Sequence, residues 1–266
     1  MSDLSDLKCM MCGEQLERMR YFPRQLLTAD DMRVEQEYFR EKSRRHNRYL
    51  HGWGVVCGCA VEAVQDGKNW TVRVCPGYAV APQGDEILID DCRDVDLKLG
   101  ATPEPCTVRW PCPPTGTMPA GGQDKTPVVH IAVRYAECFS RPTRVHPAGC
   151  GCDESLCEYS RIRDSYEIKV LRQVPESHIK TAQDDQAWCD ALQKWDPAMR
   201  RVHMPPVPPC PECVSDPWVV LASVAFAGSL APSDPNAPAI QISYRYRRAL
   251  LSTQRIQTAL TCLPHA

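Results

Sequence analysis

Residues 26–61 read LLTADDMRVEQEYFREKSRRHNRYLHGWGVVCGCAV. The stretch opens as a helix and closes as a strand, and the change of period inside it decides the fold class. Thr28 is placed to cap a helix, and Asp31, three residues on, supplies the acid of a capping box. The pattern predicts a helix over 29–50. Asp30, Asp31, Glu35, Glu37 and Glu41 load its first half, and Arg40, Lys42, Arg44, Arg45 and Arg48 load its second. That gradient complements the helix dipole. Glu41 and Arg45 are expected to pair one turn apart. Met32, Phe39, His46 and Leu50 form one narrow apolar stripe, flanked by Val34, Tyr38 and Tyr49. A helix with so little apolar surface is marginal alone, so either the protein's own sheet or a neighbouring subunit must cover the stripe. Gly52 and Gly54 end the helix, and residues without a Cβ let the chain turn at once into a strand at Val55.

From Val55 onward the period is two. Val72 and Val74 alternate ahead of PGYAVAPQGDEILID, residues 76–90. There Tyr78 and Val80 lead into a Gln83-Gly84-Asp85 turn and Ile87 and Ile89 return, the signature of a hairpin. Val129, Ile131, Val133 and Tyr135 alternate again, as do Ile162, Tyr166, Ile168 and Val170 around an interruption at Asp164. Residues 182–195 read as a short helix ended by Asp196-Pro197. WVVLASVAF, residues 218–226, is a continuous apolar run of the kind a fully buried strand shows. Ile240, Ile242, Tyr244 and Tyr246 alternate, and a basic amphipathic helix is expected near Leu260. Residues 101–127 carry seven Pro and two Cys, and 205–217 carry six Pro, which marks both as irregular excursions.

The expected class is α+β and mainly β: a long N-terminal helix packed on or beside an antiparallel β body with long Pro-rich loops and metal-braced Cys clusters. Residues 1–54 would form a Cys knuckle and docking helix. Residues 55–266 would form the β body, with insertions at about 101–127 and 202–217 and a C-terminal helix.

Composition narrows the function classes. The chain of 266 residues has a net charge of -2 and only 7% aromatics, so neither a broad basic surface nor a base-stacking platform is indicated. The basic run from Arg40 to Arg48 is interleaved with Glu41 and reads as a solvated helix face. No run approaches eighteen apolar residues, so membrane insertion is not expected. Residues 1–8 hold two Asp and no apolar stretch, so no signal peptide is expected and synthesis in the cytoplasm follows.

The sixteen cysteines stand out. In a chain made in the cytoplasm, reduced thiols and metal sites are favoured over disulfides. Cys150, Cys152 and Cys157 lie within CGCDESLC, and three thiolates so spaced can fill three corners of a zinc tetrahedron at about 2.3 Å. Cys138, His146, Cys210 and Cys213 are candidates for the fourth corner. Cys9-x-x-Cys12 and Cys210-x-x-Cys213 form two knuckles that either share one closed site or serve separate ones. Cys57 and Cys59 read as core residues of a strand start, with Cys75 and Cys92 placed to face them across the hairpin and complete a further site. Buried free thiols are the plain alternative throughout. PCPEC at 209–213 has the shape of the second half of a zinc deaminase signature, but the upstream His-x-Glu is missing. No Ser-His-Asp spacing, phosphate loop or dinucleotide fingerprint is present, and no catalytic residue is indicated.

YFPRQLLTADDMRVEQEYFREKSRRHNRYLHGWGVVCGCAV (21–61), followed by VRVCPGYAVAPQGDEILID (72–90), resembles a pattern in a Cys-rich bacterial family associated with contractile injection systems and phage-tail-like particles. The 76–90 hairpin is similar to a small β-module of tail and baseplate proteins. The likeness covers 21–92 and extends loosely to YAECFSRP, SRIRDSYEI and PCPECVSDPWVVLASV. It implies a non-enzymatic structural component or adaptor at the baseplate, spike periphery or fibre attachment. Its partners would be other subunits of a large assembly, a second copy of the chain among them, in a particle that can leave the cell. The expected contact residues are Met32, Phe39, Arg44, Arg45, Gly52 and Trp53, with zinc as a structural cofactor. The alternatives are a zinc-dependent hydrolase or deaminase with a site assembled from distant residues, and a free-standing zinc-stabilised adaptor. A convergent Glu and His at an open metal position would mark the enzyme; sets of four Cys would mark the structural protein.

Overall fold

The computed structural model describes residues 15–66, 69–97, 128–144, 157–195, 210, 216–226 and 240–262. Helix α1 spans Ala29–His46. Its Thr28 cap closes the capping box: the Asp31 N–H donates to Thr28 Oγ1 at 3.2 Å and the Thr28 N–H donates to Asp31 Oδ2 at 2.8 Å. The helix does not continue as α to Leu50. Asn47–His51 is a π turn, closed by the Gly52 N–H on the Asn47 carbonyl at 2.9 Å. Gly52 then takes φ +79° and ψ −152°, a conformation essentially confined to glycine, and the chain enters the sheet.

Among the described residues ten strands follow, in three antiparallel sheets. β1 (Gly54–Gly58), β4 (Gly77–Val80) and β5 (Glu86–Ile89) form one sheet. β2 (Val61–Asp66), β3 (Asn69–Val74) and β6 (Arg93–Val95) form the second. The third has the order β10-β9-β7-β8, built from β7 (Val128–Arg144), β8 (Cys157–Leu171), β9 (Val219–Phe226) and β10 (Ile240–Ser243). The expected hairpin is β4–β5, with Ala79 opposite Ile87 and Gly77 opposite Ile89. Its deepest residues are Ala79, Ile87 and Ile89, whereas Tyr78 faces the exposed Leu88. The mainly β class is therefore observed. Of the two Pro-rich excursions, the first falls outside the described residues and so does most of the second.

One contiguous apolar cluster draws on all three sheets. Val55, Ala79 and Ile87 come from the first, Val61, Val72, Val74 and Val95 from the second, and Ile131, Val133, Ile168, Leu221 and Val224 from the third. The run at 218–226 is explained by its place, because β9 lies between β7 and β10 and is buried from Val219 to Val224. The β7–β9 register slips beside Leu221, pairing Ile131 with Ala222 but Ala132 with Val220. The Val220 N–H bonds instead to His178 Nε2, at 3.1 Å. His178 sits on α2 (Glu176–Lys194), which begins six residues earlier than the sequence suggests and ends where expected. The last strand stops at Ser243, so Tyr244 and Tyr246 lie beyond it. Tyr244 both accepts from the Val61 N–H and donates to the Val61 carbonyl. The chain then runs beside β1, with the Val55 N–H on the Arg248 carbonyl and the Leu250 N–H on the Val55 carbonyl, and ends in α3 (Thr253–Cys262). Among the described residues no helix is long and apolar enough to cross a membrane.

Candidate functional site

Helix α1 lies on the β body with its charged flank inward. Arg40, Arg44, Asn47 and Arg48 follow the helical repeat and share that flank. Arg40 Nη1 donates to Glu137 on β7 at 2.6 Å. Arg44 Nε donates to Asp85 in the β4–β5 turn at 2.6 Å, and its Nη1 to Glu41 at 2.6 Å. Asn47 Nδ2 donates to the Gly84 carbonyl at 2.9 Å. Arg48 is buried and lies over the Tyr49 ring. Burial pushes the Asp85 carboxyl above its ordinary range, while the Arg44 guanidinium pulls it back.

The opposite flank is the apolar stripe. No residue of α1 is buried, and Met32, Phe39 and Leu50 are 48%, 61% and 69% exposed. Tyr21, Phe22, Leu26 and Leu27, which precede the helix in the chain, are exposed as well. The protein's own sheet therefore does not cover the stripe.

Several expected contact residues lie elsewhere. Arg44 is not on the outward face; its side chain is 12% exposed and tied to Asp85 and Glu41. Glu41 pairs with Arg44. Arg45 is half-buried. Trp53 is core: its ring meets His178 edge-on at 4.6 Å and Arg248 lies over it at 5.3 Å. Gly52 serves the turn, with only Leu250 near the space a Cβ would take.

The cysteine expectations divide likewise. Cys9, Cys12, Cys150, Cys152 and Cys213 lie outside the described residues. Cys210 is exposed and free, and so remains a fit zinc donor. Cys138 is buried in β7 and disulfide-bonded, which leaves it no thiolate to offer a metal. It is also far from Cys157. The β7–β8 ladder pairs Cys138 with Arg163 and Arg144 with Cys157. Six ladder steps span on the order of 20 Å of backbone, so the ladder does not bring the two positions together. Cys57 is exposed and Cys59 buried, so only Cys59 takes the expected core place, its thiol pushed up to about 11 by burial. Cys75 and Cys92 face one another rather than these two. Among the described residues no three His, Cys, Asp or Glu side chains converge as a metal site.

Two grooves and one polar pair escaped the sequence reading. A groove of about 510 Å³ runs between β5–β6 and β8. In it Arg93 Nε donates to the Tyr166 hydroxyl at 2.9 Å, which donates to Asp90 at 3.3 Å. The second groove, about 600 Å³, follows α2 past Ile179, Ala182 and Ala187 to Tyr246. His178 borders it, but its Nε2 lone pair is committed to Val220. Buried between β7 and β9, His130 Nδ1 lies 2.8 Å from Ser223 Oγ under the ring of Tyr246. No sequence spacing signals this pair, because it arises from cross-strand register.

No family model matches the chain, and no curated protein matches it.

Proposed function

We propose that this chain is a structural subunit or adaptor of a phage-tail-like contractile injection particle, seated at the baseplate, spike periphery or fibre attachment through the outward face of α1. The observation that carries the reading is the inverted mounting of that helix. Its charged flank is spent on Asp85 and Glu137 of the same chain, and its apolar flank is left outward. The resemblance of residues 21–92 to proteins of such particles points to the same role. The occupant is the apolar surface of a neighbouring subunit. Fully burying side chains such as Met32, Phe39 and Leu50 is worth about 1.5–3 kcal/mol each, enough for three to anchor a subunit. Zinc bound by the cysteines outside the described residues would brace the body.

The test is Phe39→Asp together with Leu50→Asp. Both residues are exposed, so the variant is expected to unfold within about 0.5 kcal/mol of the parent and yet be missing from particles purified by pull-down. Undiminished incorporation would overturn the docking role. Recovery of the parent with a single soluble partner and no particle would instead favour the free-standing adaptor.

A further inference from the structure

The β3–β6 ladder pairs Val72 with Val95, Arg73 with Asp94 and Val74 with Arg93. One step further, the same register sets Cys75 opposite Cys92. The backbone of β3 keeps its extended pairing through this step, because the Cys75 N–H donates to the Ala60 carbonyl at 2.8 Å. Residues directly opposite in an antiparallel pair point to the same face, with Cα atoms about 4.5–5.5 Å apart. That lies inside the range of about 4.4–6.8 Å that a disulfide spans. Burial first, and then the neighbouring Cys92 side chain, raise the Cys75 thiol above its ordinary range. Both cysteines are free, Cys92 exposed and Cys75 half-buried. The neighbouring pair is Arg73 and Asp94, joined by two bonds of 2.6 and 2.9 Å, and the guanidinium acts on both sulfurs.

We propose that Cys75 and Cys92 are a redox modification site, a cross-strand dithiol that a hydroperoxide oxidises to a clasp holding β6 on β3. The exposed Cys92 thiolate attacks one peroxide oxygen. An S–O bond forms, the O–O bond breaks, and the leaving hydroxide takes a proton to become water. The Cys75 sulfur then attacks Cys92, forming the S–S bond and expelling the sulfenic oxygen as a second water. Two thiols lose two electrons and two protons, and one peroxide becomes two waters. The β6 strand is three residues long and has β3 as its ladder partner, so a covalent tie there restrains the end of the sheet most open to fraying.

The sequence makes the test direct. Residues 74–93 form one tryptic peptide that contains Cys75 and Cys92 and no other cysteine. The reduced full-length chain is treated with stoichiometric hydrogen peroxide, blocked with iodoacetamide, digested and weighed. The expected product is peptide 74–93 two hydrogens lighter and without alkylation. Amide exchange at 93–95 is expected to slow by about tenfold. In Cys92→Ser, at an exposed position, Cys75 is expected to become alkylated under the same treatment. Alkylation of both sulfurs in the oxidised parent, or a link from either to a different cysteine, would overturn the proposal.

Discussion

Gly84 lies against the backbone of Arg44. A Cβ on Gly84 would stand 2.9 Å from the Arg44 Cα and overlap its carbonyl oxygen, and the φ of Gly84 is +95°. The hairpin turn thus reaches the helix at a point where only glycine fits, and this contact allows Asp85 to meet the Arg44 guanidinium at 2.6 Å.

Gly84→Ala is therefore expected to push α1 off the turn. Strain from the backbone and the overlap together should cost about 2–4 kcal/mol in chemical denaturation. Amide exchange should rise in 29–51 more than in β7 or β9. Equal protection of α1 in variant and parent would show that the helix is held without this contact.

The Arg44–Asp85 pair is nearly enclosed, with side-chain exposures of 12% and 6%. Removing one partner leaves the other charge buried, so Asp85→Leu and Arg44→Met should each lose about 3 kcal/mol. The double change Arg44→Met with Asp85→Leu should recover most of that loss, because it removes both desolvation costs. A double-mutant cycle by urea denaturation checks this, and strict additivity of the two losses would refute it.

His178 gives the pH dependence its sign. Burial lowers its folded pKa from 6.5 to about 4, against the pull of the Trp218 and Tyr246 backbone. The unfolded chain therefore binds a proton first as pH falls. Its contribution is fully present above pH 6.5 and is lost as pH drops from 6.5 to 4. The loss is about 3 kcal/mol. His178→Gln should be less stable at neutral pH but should lack this component, so the gap between parent and variant narrows across the window. Melting curves that stay parallel from pH 7 to about 4 would refute the assignment.

The zinc expectation is tested by metal analysis of protein purified without added metal. About one equivalent should accompany each closed cysteine set, and the double change Cys150→Ser with Cys152→Ser should remove one equivalent while Cys138→Ser removes none. Less than half an equivalent in the parent would sink the claim, more so with Cys150, Cys152 and Cys157 found in disulfides.

Much of the local structure is legible in the sequence because its causes are local. The Thr28–Asp31 capping box, the β4–β5 hairpin around Gly84 and the buried strand at 218–226 each follow from residues within a few positions of one another. The apolar stripe of α1 is equally visible, and so is its need for a cover. Which flank faces the body is not. Amphipathic patterning places apolar residues inward, but Asp85 and Glu137 offer carboxylates to Arg44 and Arg40 across 41 and 97 residues of chain, and the helix turns those two arginines in. Trp53 reads as a contact residue until α2 and the 244–250 segment close over it. Cys75 and Cys92 are seventeen positions apart and carry no motif; only the β3–β6 register brings them face to face. Caps, periods and turns are written along the chain, since their energies depend on near neighbours. The orientation of α1 and the pairing of distant side chains come from the assembled fold, because a buried charge or thiol is stabilised only by the partner that the fold delivers to it.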